Sequence, residues 1–137
     1  MNGATVRELA RALDTDELRE VRAQRAAEIV RAAGGYRWVG IYEVDDDRVS
    51  MLGHTGPTAA VHATFDASEG LTGEAVRTRA SVAGTANGSE AVIPILGAES
   101  GIVIGTLDVE SDRAGAFGEQ DREFLETCAA ALMPLFE

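Results

Sequence analysis

The chain has 137 residues, 45% of them hydrophobic and 26% charged, so it can bury a core without metals or disulfides. Its net charge of −11 repels phosphate backbones and anionic lipid surfaces, which excludes nucleic acid and membrane surfaces as expected partners. No apolar run reaches the roughly 20 residues of a membrane helix, and residues 1–11 carry no signal-peptide core, so a cytoplasmic location is expected. The single cysteine, Cys128, excludes an internal disulfide and a multi-cysteine metal site.

The first third reads as helical. Thr5 and Glu8 fit a capping box, and Val6, Leu9, Ala10 and Leu13 recur at helical spacing on one face. Asp14, Thr15, Asp16 and Glu17 form a second start signal. The helix that follows runs to about Ala33 and is expected to bury Leu18, Val21, Ile29 and Val30, with Gly34-Gly35 as its stop.

A β-rich middle begins at Tyr36. Through Val44, Trp38, Gly40 and Tyr42 share one strand face and Val39 and Ile41 the other. Both faces are apolar, as in a central strand covered on two sides. Asp45-Asp46-Asp47 turns the chain into a partner strand over Arg48 to Thr55. Val61 to Phe65 reads as a short strand, Leu71 to Arg79 as a short helix, and Ser81 to Ala83 as an edge strand. Ala91 to Leu96 and Ile102 to Glu110 flank a glycine-bounded turn and form a hairpin. The final helix carries Phe124, Cys128, Leu132 and Leu135 as an apolar stripe. The order gives an α+β fold: one central antiparallel sheet of about six strands, with the N- and C-terminal helices packed on one face. Residues 1–137 read as a single domain, with 1–14 as an N-terminal helical extension.

Several segments together resemble a known family. Trp38-Val39-Gly40-Ile41-Tyr42, Glu69-Gly70-Leu71-Thr72-Gly73-Glu74-Ala75, Ser89-Glu90-Ala91-Val92-Ile93-Pro94, Gly105-Thr106-Leu107-Asp108-Val109-Glu110-Ser111 and the stretch Phe117 to Asp121 carry the likeness. In that order they resemble the free methionine-R-sulfoxide reductases, which are single GAF domains. The resemblance implies a GAF-like fold and a ligand pocket lined by Trp38, Tyr42, Glu90, Asp108 and Glu110. Two aromatic rings and three carboxylates in one hollow suit a small amine-bearing or amino-acid-like ligand, through charge-assisted hydrogen bonds and a cation on an indole face. Crowded carboxylates repel, so at least one of them is expected to titrate high.

The chain departs from the family where the chemistry lies. Thr72 stands where the family has a cysteine before the second glycine of its turn. The long loop that carries the catalytic cysteine shrinks to Gly84-Thr85-Ala86-Asn87-Gly88. Sulfoxide reduction needs a thiolate nucleophile and a second thiol to resolve the product, so this activity is not expected. Cys128, within the apolar stripe, reads as core. The resulting expectation is a ligand-binding GAF sensor that uses no cofactor and forms a homodimer. The alternatives are an enzyme with a carboxylate as general base, and a dimerisation module with a vestigial pocket and a seam of Leu9, Leu13, Leu132 and Leu135. On a plainer reading Trp38 and Tyr42 are core, Asp108 to Ser111 a solvated turn, and Glu90 a loop cap. His54 and His62 lack the spacing of a metal pair, and no catalytic site residue or metal site is expected.

Overall fold

Two helices open the chain, α1 (Asn2–Leu13) and α2 (Arg19–Gly34), in a computed structural model that describes residues 2–57, 64–84 and 88–137. The capping box expected at Thr5 does not form. The helix already runs from Asn2, and Thr5 lies inside it, buried. Leu9 and Leu13 anchor α1 against α2 and α4 (Glu119–Ala131), and this tertiary packing overrides the local start signal. Through Leu9 and Leu13, α1 forms part of the larger core.

The start of α2 is also displaced, from the acidic run to Leu18, which offers no side-chain cap. Arg22 fixes the connection instead, donating from Nε to the Glu17 carbonyl at 3.0 Å and from Nη1 to the Leu13 carbonyl at 3.3 Å. The expected buried face is corrected as well. Leu18 is 74% exposed and Val21 is exposed, while Ala23, Ala26, Ala27 and Val30 face the core. The reason is close approach: a Cβ on Gly53 of the sheet would fall 2.7 Å from the Gln24 amide nitrogen. Only a small-residue stripe lets α2 lie that near a strand. Gly35 ends α2 in the left-handed conformation at φ +68°, its N–H bonded to the Arg31 carbonyl at 2.8 Å.

Six strands follow: β1 (Trp38–Val44), β2 (Arg48–Thr55), β3 (Thr64–Asp66), β4 (Val82–Gly84), β5 (Ser89–Leu96) and β6 (Val103–Ser111). They form one antiparallel sheet in the order β3-β2-β1-β6-β5-β4, with β1 and β6 at its centre. β3 is described from Thr64, and Val61 to Ala63 of the strand expected there lie outside the described residues. α3 (Gly70–Thr78) crosses between β3 and β4.

The sheet has two differently furnished faces. Val39, Ile41, Ile93, Leu107 and Val109 meet α1, α2, α4 and the closing 3-10 turn (Met133–Phe136) in the larger core. Leu9, Leu13, Leu132 and Leu135 all belong to this core, so the dimer seam expected from them is not available on the surface. On the other face Trp38, Tyr42, Val44, Val49 and Val103 form a second cluster, with Phe65, Ala67 and Val76 packed over it. Among the described residues no helix is long and apolar enough to cross a membrane.

Two substitutions test this packing. Gly53→Ala should cost about 1–3 kcal/mol, because the new methyl meets helix backbone that cannot rotate away. Arg79, which caps α3 at φ +57°, is a non-glycine residue in the left-handed region. Arg79→Gly should gain roughly 0.5–1 kcal/mol. Urea unfolding of both variants reads the two signs, and either sign reversed would refute the corresponding contact.

Candidate functional site

The central strands carry the candidate residues. β1 sets Trp38 opposite Glu110, Gly40 opposite Asp108 and Tyr42 opposite Thr106 on β6. β6 sets Glu110 opposite Glu90, Asp108 opposite Val92 and Thr106 opposite Pro94 on β5. Directly opposed residues of antiparallel strands leave the same face. The register alone therefore gathers Trp38, Tyr42, Glu90, Thr106, Asp108 and Glu110 on the side away from the terminal helices.

Gly40 shapes this patch. A Cβ there would lie 2.3 Å from Cη2 of Trp38, so the missing side chain is what lets the indole lie across the sheet. The indole stacks beside His54 of β2, with centroids 6.3 Å apart and planes at 22°. Tyr42 meets Phe65 edge-on at 5.6 Å. Trp38 and Tyr42 are each only 3% exposed, so they are core residues of the second cluster as well as walls of the patch.

Among the described residues, three buried side-chain polar atoms lack a hydrogen-bond partner: Trp38 Nε1, Thr106 Oγ1 and Asp108 Oδ1. All three belong to this one patch. Buried polar groups are otherwise almost always paired, and each left unpaired costs about 1–3 kcal/mol. The fold thus leaves its unused hydrogen-bonding capacity where the carboxylates gather.

Electrostatics ties the group together. Burial pushes the Asp108 carboxyl up to about 7, the nearby Thr106 hydroxyl opposes the rise, and Glu90 and Glu110 add to it. Glu90 is also raised, by burial and then by Glu110, with Arg37 pulling it back. The Tyr42 phenol titrates well above its usual range, chiefly through burial and then through Asp108 and Glu110. Glu110 enters the patch already paired, its Oε1 accepting from Arg37 Nη2 at 2.8 Å. Arg37 Nη1 donates to Asp112 Oδ1, also at 2.8 Å. Among the described residues, the two carboxylates of the patch without an ion pair are Glu90 and Asp108. Among the described residues no three His, Cys, Asp or Glu side chains take up a metal-binding arrangement. His62 and residues 85–87 of the shortened loop lie outside the described residues.

Sequence reasoning missed Thr106 and Arg37. The period-2 alternation of β6 already puts Thr106 on the face of Asp108 and Glu110, a signal present in the sequence. Arg37 could not be found that way, because its link to Glu110 depends on which strand lies beside β1. Cys128 lies on the opposite side, fully buried in the helix-covered core, where burial pushes its thiol up to about 12. A separate groove of about 320 Å³ runs along the β5 edge between Arg79, Ser81, Pro94, Leu96, Glu126 and Met133, and contains none of the candidate residues.

The GAF domain family matches the chain over residues 12–135. Solved structures of the same shape include the free methionine-R-sulfoxide reductase of Neisseria meningitidis in complex with its substrate. That structure has a TM-score of 0.82 at 23% identity, over 98% of this chain and 87% of that one. The type II free methionine-R-sulfoxide reductase of Thermoplasma acidophilum matches with a TM-score of 0.75 at 24% identity, over 85% and 91%. The GAF domain of an Acinetobacter phosphoenolpyruvate-protein phosphotransferase matches with a TM-score of 0.81 at 18% identity, over 96% and 90%. These identities establish a common fold. No curated protein sequence matches the chain significantly.

An aspartate that titrates higher folded than unfolded holds a proton in the folded state between its ordinary 3.8 and about 7. The folded state binds more protons over that window, so stability falls as pH rises through it and levels off above. Asp108→Asn should remove this slope, matching the parent near pH 4 and exceeding it at pH 8 by on the order of 2–4 kcal/mol. Urea titrations across pH measure the difference; a gap that does not vary with pH would refute the assignment.

Proposed function

Because the chain belongs to the GAF domain family, we propose that it binds a small amine-bearing, amino-acid-like ligand at the Trp38–Asp108 patch and serves as a sensor or regulatory module. The observation that carries this reading is the coincidence of unpaired polar atoms and carboxylates. Trp38 Nε1, Thr106 Oγ1 and Asp108 Oδ1 are unsatisfied on the same sheet face that carries Glu90 and Glu110. An ammonium group satisfies the carboxylates of this patch, and the oxygen of an amino-acid-like ligand accepts from the Trp38 Nε1–H. The ammonium donates to Glu90 and Asp108 and relieves their repulsion.

The same geometry argues against sulfoxide reduction. The chain has one cysteine, and its thiol is buried on the far side of the sheet. Neither a thiolate nucleophile nor a resolving thiol adjoins the carboxylates. The two reductases of similar fold lend support to an amino-acid-like ligand, since one of them is solved with its substrate. In this reading the ligand is held and not converted, and its occupancy is sensed by a partner or by a second copy of the chain. The deep burial of both rings favours one rival, a packing module whose pocket is vestigial.

Calorimetry separates the two. Methionine sulfoxide, methionine and related amino acids should include at least one that releases heat at pH 8. Its affinity should be roughly tenfold weaker at pH 6, where Asp108 is mostly protonated. Asp108→Ala, with its circular dichroism unchanged, should abolish the heat. No methionine should form from methionine-R-sulfoxide with dithiothreitol as reductant. Silence from the whole panel at pH 8 would leave the vestigial-pocket reading standing.

A further inference from the structure

Thr106 is the fully buried residue at the inner end of the patch. Asp108 stands two residues on along β6, and Tyr42 and Pro94 flank Thr106 across the sheet. Valine has the same shape as threonine, is as favourable in a strand, and would leave nothing unsatisfied. The chain carries a hydroxyl there instead, and Oγ1 completes no hydrogen bond. The hydroxyl is near enough to Asp108 to favour its ionised form, yet neither atom reaches hydrogen-bond geometry with the other.

We propose that Thr106 is a specificity-determining residue, and that the ligand carries, beyond its amine, an uncharged oxygen that bonds to the Thr106 hydroxyl. The inference rests on the amine-binding reading and narrows it. Residues two apart on a strand stand roughly 6.5–7 Å from each other. An ammonium at Asp108 and Glu90 therefore stands about the length of a short aliphatic spacer from Thr106. A simple alkylamine fills the same space but leaves the hydroxyl unpaired, and a site built around a hydroxyl discriminates strongly against such an analogue. Trp38 stands opposite Glu110, at the end of the patch away from the Tyr42–Thr106 pair.

The test uses the full chain and two probes with equal numbers of heavy atoms, 4-amino-1-butanol and n-pentylamine. Calorimetry gives their affinities, and the fluorescence of Trp38, the only tryptophan, gives a second reading at the site itself. The amino alcohol should bind about tenfold more tightly than the alkylamine. Thr106→Val should bring the two affinities together by weakening only the amino alcohol, while Thr106→Ser restores the preference. Thr106→Val should also raise the melting temperature of the unliganded protein, since it removes an unsatisfied hydroxyl without changing shape.

The possible failures are distinct. Equal affinities in the native chain, or a preference that survives Thr106→Val, overturn the role of Thr106 and leave the amine site intact. A loss of both probes in Thr106→Val, restored by serine, assigns Thr106 to positioning Asp108 and overturns direct recognition. No binding by either probe at pH 8 removes the amine site, and this inference with it.

Discussion

The pairing of β1 with β6 is the constraint on which the rest of the structure depends. Both are central strands, and every candidate residue lies either on one of them or on β5, whose position β6 fixes. A strand has a side-chain period of two, so a slip of one residue would exchange its faces. Val39, Ile41, Leu107 and Val109 would then meet the carboxylate side, and Asp108 and Glu110 would be driven into the helix-covered core. Burying those charges without partners is so costly that the register has effectively one solution.

The two sides of the sheet are furnished for different tasks. The helix-covered side is mostly apolar, and its single thiol is closed off from solvent. The other side is only partly apolar. Val44, Val49 and Val103 pack under Phe65 and Val76, and beside them stand an indole N–H, a hydroxyl and a carboxyl oxygen without partners. A sheet face whose sole task was packing would place aliphatic side chains at those positions. The Arg37 ion pair with Glu110 and Asp112 limits the cost of the crowded acids, because it neutralises Glu110 and leaves Glu90 and Asp108 available.

Much of this was legible before any coordinates. β1, β2, β5 and β6 follow their alternation and turns to within a residue or two, since period-2 patterning between glycines and acidic turns is a local signal. The placement of Trp38 and Tyr42 together, and of Asp108 with Glu110, follows from the same alternation. Helix α2 was less legible. Hydrophobicity points to Leu18 and Val21, whereas contact with Gly53 selects for small size and turns Ala23, Ala26 and Ala27 inward. The cap at Thr5 failed for a related reason: local start signals are worth about 1 kcal/mol, and burial of Leu9 and Leu13 outweighs them. The same burial takes Leu132 and Leu135, with those two, out of any surface seam.

The sequence by itself determined the elements, their order, the α+β class and the absence of a thiol pair, because each is written in local periodicity or in composition. Only the tertiary structure decided which faces meet. It set Glu90 beside Glu110, laid the Trp38 ring over Gly40, brought Arg37 to Glu110, and left Thr106 Oγ1 without a partner among the described residues. The partners Glu90 and Glu110 are 20 residues apart in the chain and Arg37 and Glu110 are 73 apart, separations spanned by whole hairpins and crossovers. Whether a polar atom is satisfied is a property of its surroundings, and no side chain carries that information alone.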